Sequence, residues 1–450
     1  MRGKRLSIRL IATLAIFTAI LFVTGTWAAA QVQEEVLHNF NNDGTDGVSP
    51  WAGLIFDAAG NLYGTARIGG SYTQGMVFEL IPAAGGTWTE KVLHNFDGTD
   101  GGNPTAGLIL DTAGNLYGTT VVGGTYGHGT VFELSPAAGG TWTEQVLYSF
   151  NSNGTDGVLP AAGLIFDAAG NLYGTTSAGG SYSGGTVFEL TPAAGGTWTE
   201  KVLYSFGNDA DGATPYAGLI FDAAGNLYGT TFYGGGTYAL GTVFELTPAA
   251  GGTWTEKVLH SFTGNGTDGA NLSAGLIFDA AGNLYGTTTD GGTIGGGTAF
   301  ELTPAAGGTW TESMLHNFGN GTDASMPRGA LIFDAAGNLY GASSGGGAQN
   351  AGTVFELTPA GGGTWTEKVL HSFLNDGTDG VNPVAGLIFD GAGNLYGTTN
   401  DGGSYGGGTV FRFNAQGEVL LQSFSGNDGA SPVAGLVLDE IGRASCRERV

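Results

Sequence analysis

Cysteine is nearly absent from this sequence: the single one, Cys446, lies close to the C-terminus. A disulfide framework is therefore excluded, and the chain must hold itself together by burial alone. Basic residues are scarce as well, 14 Lys and Arg against 39 Asp and Glu. That balance excludes nucleic acid and anionic membrane surfaces as partners, since both need clustered positive charge. Only one long apolar run exists, residues 10–23, and it falls short of the roughly 20 residues of a membrane helix. Serine-hydrolase chemistry lacks both its G-x-S-x-G elbow and a cysteine nucleophile. No Gly-X-Y period exists, which excludes collagen, and 87 glycines among 450 residues exclude a helical protein.

Both ends stand apart from the rest. Arg2, Lys4, Arg5 and Arg9 precede the apolar run, and Ala28, Ala29 and Ala30 follow it. This order predicts a secretory signal peptide over residues 1–30, so the chain is expected to be secreted or displayed at the cell surface. Residues 440–450, EIGRASCRERV, break off a repeat in mid-motif and match the translation of a sequencing adapter. We read them as a non-native tail on a bacterial metagenomic fragment, truncated after Asp439. Between the ends, residues 31–439 form the expected domain, with seven basic and 37 acidic residues and a charge near −30. No membrane span is expected in this mature part, and a monomer is.

What is abundant is repetition. The segment AGLIFDAAGNLYGTT recurs with its aspartate at Asp57, Asp111, Asp167, Asp222, Asp279, Asp334 and Asp390, on average 55.5 residues apart. An eighth copy begins AGLVLD and reaches Asp439. Such a period marks a repeat architecture in which each unit is one supersecondary element. Four strand-like runs fill each unit; in the third they are 163–167, 172–176, 186–191 and 197–206, here called a, b, c and d. β-branched and aromatic residues fill these runs, and glycine or proline bounds them. Strand a, apolar at Leu164, Ile165 and Phe166, is expected to be innermost and buried on both faces. Strand d alternates, with Trp198, Glu200, Val202, Tyr204 and Phe206 on one face and Thr199, Lys201, Leu203 and Ser205 on the other. Asp167-Ala168-Ala169-Gly170 reads as a type I turn between a and b. The c–d connection, TPAAGGTW, resembles a degenerate Asp-box hairpin with Ala193 in place of the aspartate.

Four antiparallel strands in each unit predict an all-β fold, a β-propeller with one repeat per blade. Val36-Leu37-His38-Asn39-Phe40 is a lone d strand ahead of the first a strand, so it can complete the last blade and close the ring. Eight blades, the closing one shared between the termini and truncated, is the first expectation and seven the second. A β-solenoid, which also gives periodic glycines, is the third. The run AGLIFDAAGNLYGTT, then GTVFEL, VLHSF and a DG-rich loop, resembles the GloVer tandem-repeat family of exported bacterial proteins over residues 36–439. The resemblance implies export and a propeller-like repeat, often with a C-terminal sorting anchor, and brings no catalytic residue with it.

The chemistry-bearing residues repeat too. Asp57 and its equivalents start turns, while Glu79, Glu133, Glu189, Glu245, Glu301 and Glu356 hold one place on strand c. Paired carboxylates serve glycan hydrolysis only when their environments differ; identical copies in nearly every blade point to turn and ladder roles. His38, His94, His260, His316 and His371 share one place on strand d, filled by Tyr148 and Tyr204 in two repeats. Spread round a ring, these imidazoles cannot meet at one metal; packing is their expected role, and no metal site is assigned. The d–a loops, NNDGTDG (41–47), NGTDG (153–157 and 265–269) and NDGTDG (375–380), lack the bidentate glutamate of an EF-hand loop. Turn chemistry is their first reading and weak Ca²⁺ binding the alternative, with no other cofactor expected. Arg67, Arg328 and Arg412 occupy three different repeat positions and form no arginine triad.

Strand alternation places the a–b and c–d turns on one rim and the b–c and d–a loops on the other. The first rim is uniform. The second varies and carries Tyr72, Tyr126, Tyr182, Phe232, Tyr233, Tyr238 and Tyr405, with His128 beside them. Tyrosine gives broad amphipathic contact at low entropic cost, so these eight residues are the candidate binding site for a glycan or a surface protein. The opposing reading is that each aromatic packs its own glycine-rich loop. The chain is thus expected to be a non-catalytic binding propeller. The alternatives are a polysaccharide-acting hydrolase or lyase and a structural surface component.

Overall fold

The structure, a computed structural model, describes residues 37, 40, 46–83, 88–208, 210–414, 417–425, 430–438 and 444–445. The expected signal peptide lies outside the described residues, as do 41–45 of the first Asp-rich loop and most of 440–450. Among the described residues no helix is long and apolar enough to cross a membrane.

Seven antiparallel sheets follow one another at 55–95, 109–149, 165–205, 220–261, 277–317, 332–372 and 388–423, each ordered a-b-c-d, and in the sixth Ala324–Pro327 pairs with strand b as a fifth strand. The chain is a β-propeller. In the third blade the strands are Ile165–Phe166, Leu172–Thr176, Thr186–Pro192 and Trp198–Ser205. Strand b is buried along its whole length. Its glycine is a steric requirement: a Cβ on Gly174 would stand 2.6 Å from Cζ of Phe188 and 3.0 Å from Leu164. The hydroxyls buried there are satisfied, Thr176 Oγ1 and Thr186 Oγ1 lying 2.9 Å apart.

The core lies between blades rather than within them. Tyr117, Val131, Leu147 and Phe150 of the second blade meet Leu164, Leu172, Phe188 and Leu190 of the third. Phe150 and Phe188 are fully buried with ring centroids 5.1 Å apart at 68°. Each such ring contributes about 1.5–3 kcal/mol by burial. The same cluster recurs at every junction between neighbouring blades.

A backbone latch reinforces each junction. Thr214, held at φ 60° ahead of Pro215, donates its N–H to Gly184 O at 2.7 Å across the blade boundary. Asn103, Leu159 and Asn382 make the equivalent bonds to Gln74, His128 and Ala351. The proline that follows rests on Gly185, where a Cβ would meet Thr176 O at 2.3 Å and Pro215 Cδ at 2.8 Å.

Ring closure follows the expected plan. Val437–Leu438 is the a strand of an eighth position and packs beside Leu37, Phe40 and the first blade's core. Phe40 stacks on Phe78 at 4.9 Å, as Phe96 does on Phe132 at 5.1 Å, so it fills the place of a closing d strand. The innermost glycines bear this out: a Cβ on Gly435 would lie 3.4 Å from Gly386 O, and one on Gly53 4.0 Å from Gly435 O. Seven complete blades and one shared position thus close the ring. Ala444–Ser445, inside the segment read as a foreign tail, pairs with Val437–Leu438 in the register that Leu62 and Tyr63 take in the first blade.

Two expectations about strands need correction. Strand a is only two residues long, and Ile165 and Phe166 are half-buried rather than buried on both faces. It borders the axis and has a hydrogen-bonded neighbour on one side alone. The strict alternation of strand d is interrupted between Val202 and Tyr204, where the register to strand c shifts. This bulge turns Leu203 into the core beside Phe206, away from the polar face on which alternation placed it.

Candidate functional site

The b–c and d–a loops do share a rim, because they pair directly. Gly157–Val158 of one d–a loop forms a two-residue ribbon with Ala178–Gly179 of the b–c loop, and the same ribbon recurs in the first, fifth and seventh blades. The b–c loop then makes a tight turn in which Gly180 O accepts from Ser183 N–H at 3.2 Å, with Tyr182 third of the four residues. Tyr72, Tyr126, Tyr238 and Tyr405 hold the same turn position. The d strand of the same blade braces several of these turns: Ser71 N–H donates to Asn95 Oδ1 at 3.0 Å and Ser404 N–H to Ser423 Oγ at 2.6 Å. Thr125 N–H donates to Ser149 Oγ at 3.3 Å in the same way.

The candidate aromatics project from these turns. Tyr72, Tyr126, Tyr182, Tyr233, Tyr238 and Tyr405 are between 50% and 70% exposed. Packing of its own loop therefore accounts for at most half of each ring's surface. Phe232 is half-buried and stacks edge-on against Tyr233 at 4.7 Å and Tyr216 at 6.0 Å. Tyr216, 49% exposed on the d–a loop, extends this patch and was missed by sequence reasoning. His128 is half-buried, and its carbonyl accepts the blade latch from Leu159. Ile294, 53% exposed, stands at the tyrosine position of the fifth blade.

On the opposite rim the repeated carboxylates are structural. Asp167 accepts from Ala169 N–H, Asn171 N–H, Asn171 Nδ2 and the Tyr173 hydroxyl at 2.8–3.2 Å. Tyr173 also reaches Glu189 at 3.0 Å, and Glu189 lies 3.8 Å from Lys201. Burial first, and then the two carboxylates, push the tyrosine hydroxyl far above its usual range. The arrangement is the same in the fourth blade, so these repeated Asp–Glu pairs share one environment and are not set apart for acid and base roles.

His38 lies outside the described residues; His94, His260, His316 and His371 do not converge on one point, and each packs edge-on against the phenylalanine two residues on, as His94 does on Phe96 at 5.0 Å. They have a further set of neighbours that sequence reasoning missed. His94 Nε2 lies 2.7 Å from Asp100 Oδ2 of its own d–a loop, and Glu144 of the next blade's d strand completes a group of three. His316–Asp323–Glu367 and His371–Asp379–Glu418 repeat it, with His–Asp distances of 2.9 Å. In the Tyr-bearing blades the phenol hydroxyls of Tyr148 and Tyr204 donate to Asp156 and Asp211 at 2.8 Å. Burial, joined by Asp156, pushes Glu200 up to about 8. Burial pushes Glu144 up to about 7, against the pull of His94. Burial and the hydrogen bond with Asp323 push Glu367 up to about 8. Asp323 moves the other way: burial raises it, and the bond from His316 with other hydrogen bonds more than offsets this.

In the Asp-rich loops the first oxygen is taken by its own turn. Asn153 Oδ1 accepts from the Thr155 N–H and hydroxyl, both at 2.9 Å, and Asp376 Oδ1 does the same for Thr378 at 2.8 Å.

Solved structures similar to this chain are themselves remote. The periplasmic gluconolactonase of Pseudomonas aeruginosa is 17% identical at a TM-score of 0.46, covering 78% of this chain and 91% of its own. A putative 6-phosphogluconolactonase from Bacteroides uniformis is 14% identical at 0.45, covering 78% and 91%. A polysaccharide lyase, an ulvan lyase, is 11% identical at 0.45, covering 89% and 97%. No residue or activity passes from them to this chain. No curated protein matches it. The sequence model of the Gloeobacter/Verrucomicrobia repeat does match, at residues 23–165, 60–296 and 273–443, and the chain belongs to that repeat family.

Proposed function

We propose that this chain is an exported, non-catalytic binding propeller whose b–c and d–a rim takes a glycan or a surface protein. The observation that carries the reading is the set of tyrosines at the same turn position in five blades, each more than half exposed. A ring held in a braced turn loses little entropy on binding, and its exposed face and hydroxyl suit both sugar and protein contact. Tyr216, Phe232 and Tyr233 in the fourth blade add a local aromatic patch where selectivity for one ligand would arise. The uniform, internally satisfied carboxylates of the other rim favour this reading over a polysaccharide-acting enzyme. Export rests on the Arg–apolar–Ala order of residues 1–30.

The test is a binding screen against glycans and surface extracts that compares the native chain with Tyr126→Ala/Tyr182→Ala/Tyr238→Ala. The variant is expected to lose binding while keeping its thermal midpoint. Unchanged binding with a lowered midpoint would assign the rings to packing and refute the proposal.

A further inference from the structure

We infer that clefts between neighbouring outer strands are divalent transition-metal sites, three among the described residues, with His94–Asp100–Glu144, His316–Asp323–Glu367 and His371–Asp379–Glu418 as the ligand sets. In each set one imidazole nitrogen and two carboxylate oxygens lie within 4.8 Å of one another. One nitrogen with two oxygens is a donor set suited to Zn²⁺, whereas Ca²⁺ asks for six to eight oxygens. Zinc bonds of about 2.0–2.2 Å place ligand atoms roughly 3.3–3.6 Å apart, so small side-chain rotations bring these donors into place.

A second observation points to an ion. Oε1 of Glu144, Glu367 and Glu418 is buried with no hydrogen-bond partner, as is Oε1 of Glu200, Glu256 and Glu312 at other junctions, so it is the imidazole and aspartate together within 4.8 Å that set these three apart. An orphaned buried oxygen facing a histidine and an aspartate is costly unless something positive meets it. At the second set a cleft of about 400 Å³ opens beside His316, Asp323 and Glu367, which gives an ion a way in and leaves a coordination position free for water. The chain contains its own contrast. At Tyr148 and Tyr204 the phenol hydroxyl replaces the imidazole and donates to the aspartate, so those junctions offer no ring nitrogen to a metal although Glu200 and Glu256 carry the same orphaned oxygen. At His260 the imidazole stands 3.3 Å from both oxygens of Asp268, which also accepts from the Thr263 hydroxyl, and we leave that junction out of the set.

The experiment counts bound metal. The full chain is stripped with a chelator, dialysed against Zn²⁺ or Ca²⁺, and analysed by elemental emission. His94→Tyr/His316→Tyr/His371→Tyr tests the assignment with a side chain that the same fold already accepts at two junctions. Glu144→Gln/Glu367→Gln/Glu418→Gln tests it independently should the first variant not fold. We expect the tyrosine variant to hold about three fewer Zn²⁺ per chain than the native protein, and the glutamine variant to bind them at least tenfold more weakly. Ca²⁺ is expected to be retained to the same small extent by all three proteins, as an acidic surface would hold it. A zinc count unchanged by either variant, or Ca²⁺ bound in the same number with the same dependence on the histidines, would overturn the inference.

Discussion

Glu200 gives the sharpest prediction, because it is a titrating carboxyl at a junction closed by tyrosine. Its Oε1 is buried without a partner beside Asp156, and burial followed by the Asp156 charge pushes the group up to about 8. An unfolded glutamate titrates near 4.3. A raised folded value means that the stabilisation is fully present below about 4.3 and is lost as the pH rises through about 8. Taken whole, such a shift is worth ~5 kcal/mol, but the group is only partly buried, and solvent screening reduces it to about 1–2 kcal/mol. Glu200→Gln keeps the shape and removes the titration. At pH 8.5 the variant should be more stable than the native chain by that amount, and at pH 5 the two should agree within about 0.5 kcal/mol. Urea unfolding at both values, read as a shift in midpoint at unchanged slope, measures this. An equal gain at both pH values, or a variant less stable at pH 8.5, would refute the burial argument.

Other substitutions probe the packing. Phe188→Ala empties a fully buried ring site shared by two blades and should cost about 3–5 kcal/mol in urea unfolding. Gly170 and Gly185 both have positive φ, yet only Gly185 is walled in, by Thr176 O and Pro215. Gly170→Ala should therefore cost roughly 1–2 kcal/mol of backbone strain, and Gly185→Ala clearly more, visible as a larger loss of thermal midpoint.

The fold was legible because the repeat restates each strand and turn seven times. The bounds of strands b, c and d in the third blade fall within one residue of those read from GNLYGTT, GTVFELT and TWTEKVLYSF. The lone VLHNF ahead of the first blade announced the closure that Phe40 and Val437 complete. Two things were not legible. The bulge at Leu203 leaves the apolar alternation of the sequence intact, since it depends on how strand c pairs with strand d. The His–Asp–Glu groups join residues up to 51 positions apart across a blade boundary, as Gln145 also does with Gly196. The relative twist of adjacent blades sets such contacts, and a one-blade reading does not contain it. Tyr126 and Tyr182 were legible as loop aromatics, but only the hydrogen-bonded turns and the exposure of the rings distinguish a presented ring from one folded onto its own loop.

The claim that the tyrosine rim is the binding surface is tested most directly by oxidative footprinting of the chain with and without a ligand found in the screen. The account predicts protection at Tyr72, Tyr126, Tyr182, Tyr238 and Tyr405, while Trp142 and Trp198 beside the c–d turns of the opposite rim react unchanged. Protection at those tryptophans with the loop tyrosines still reactive would contradict it.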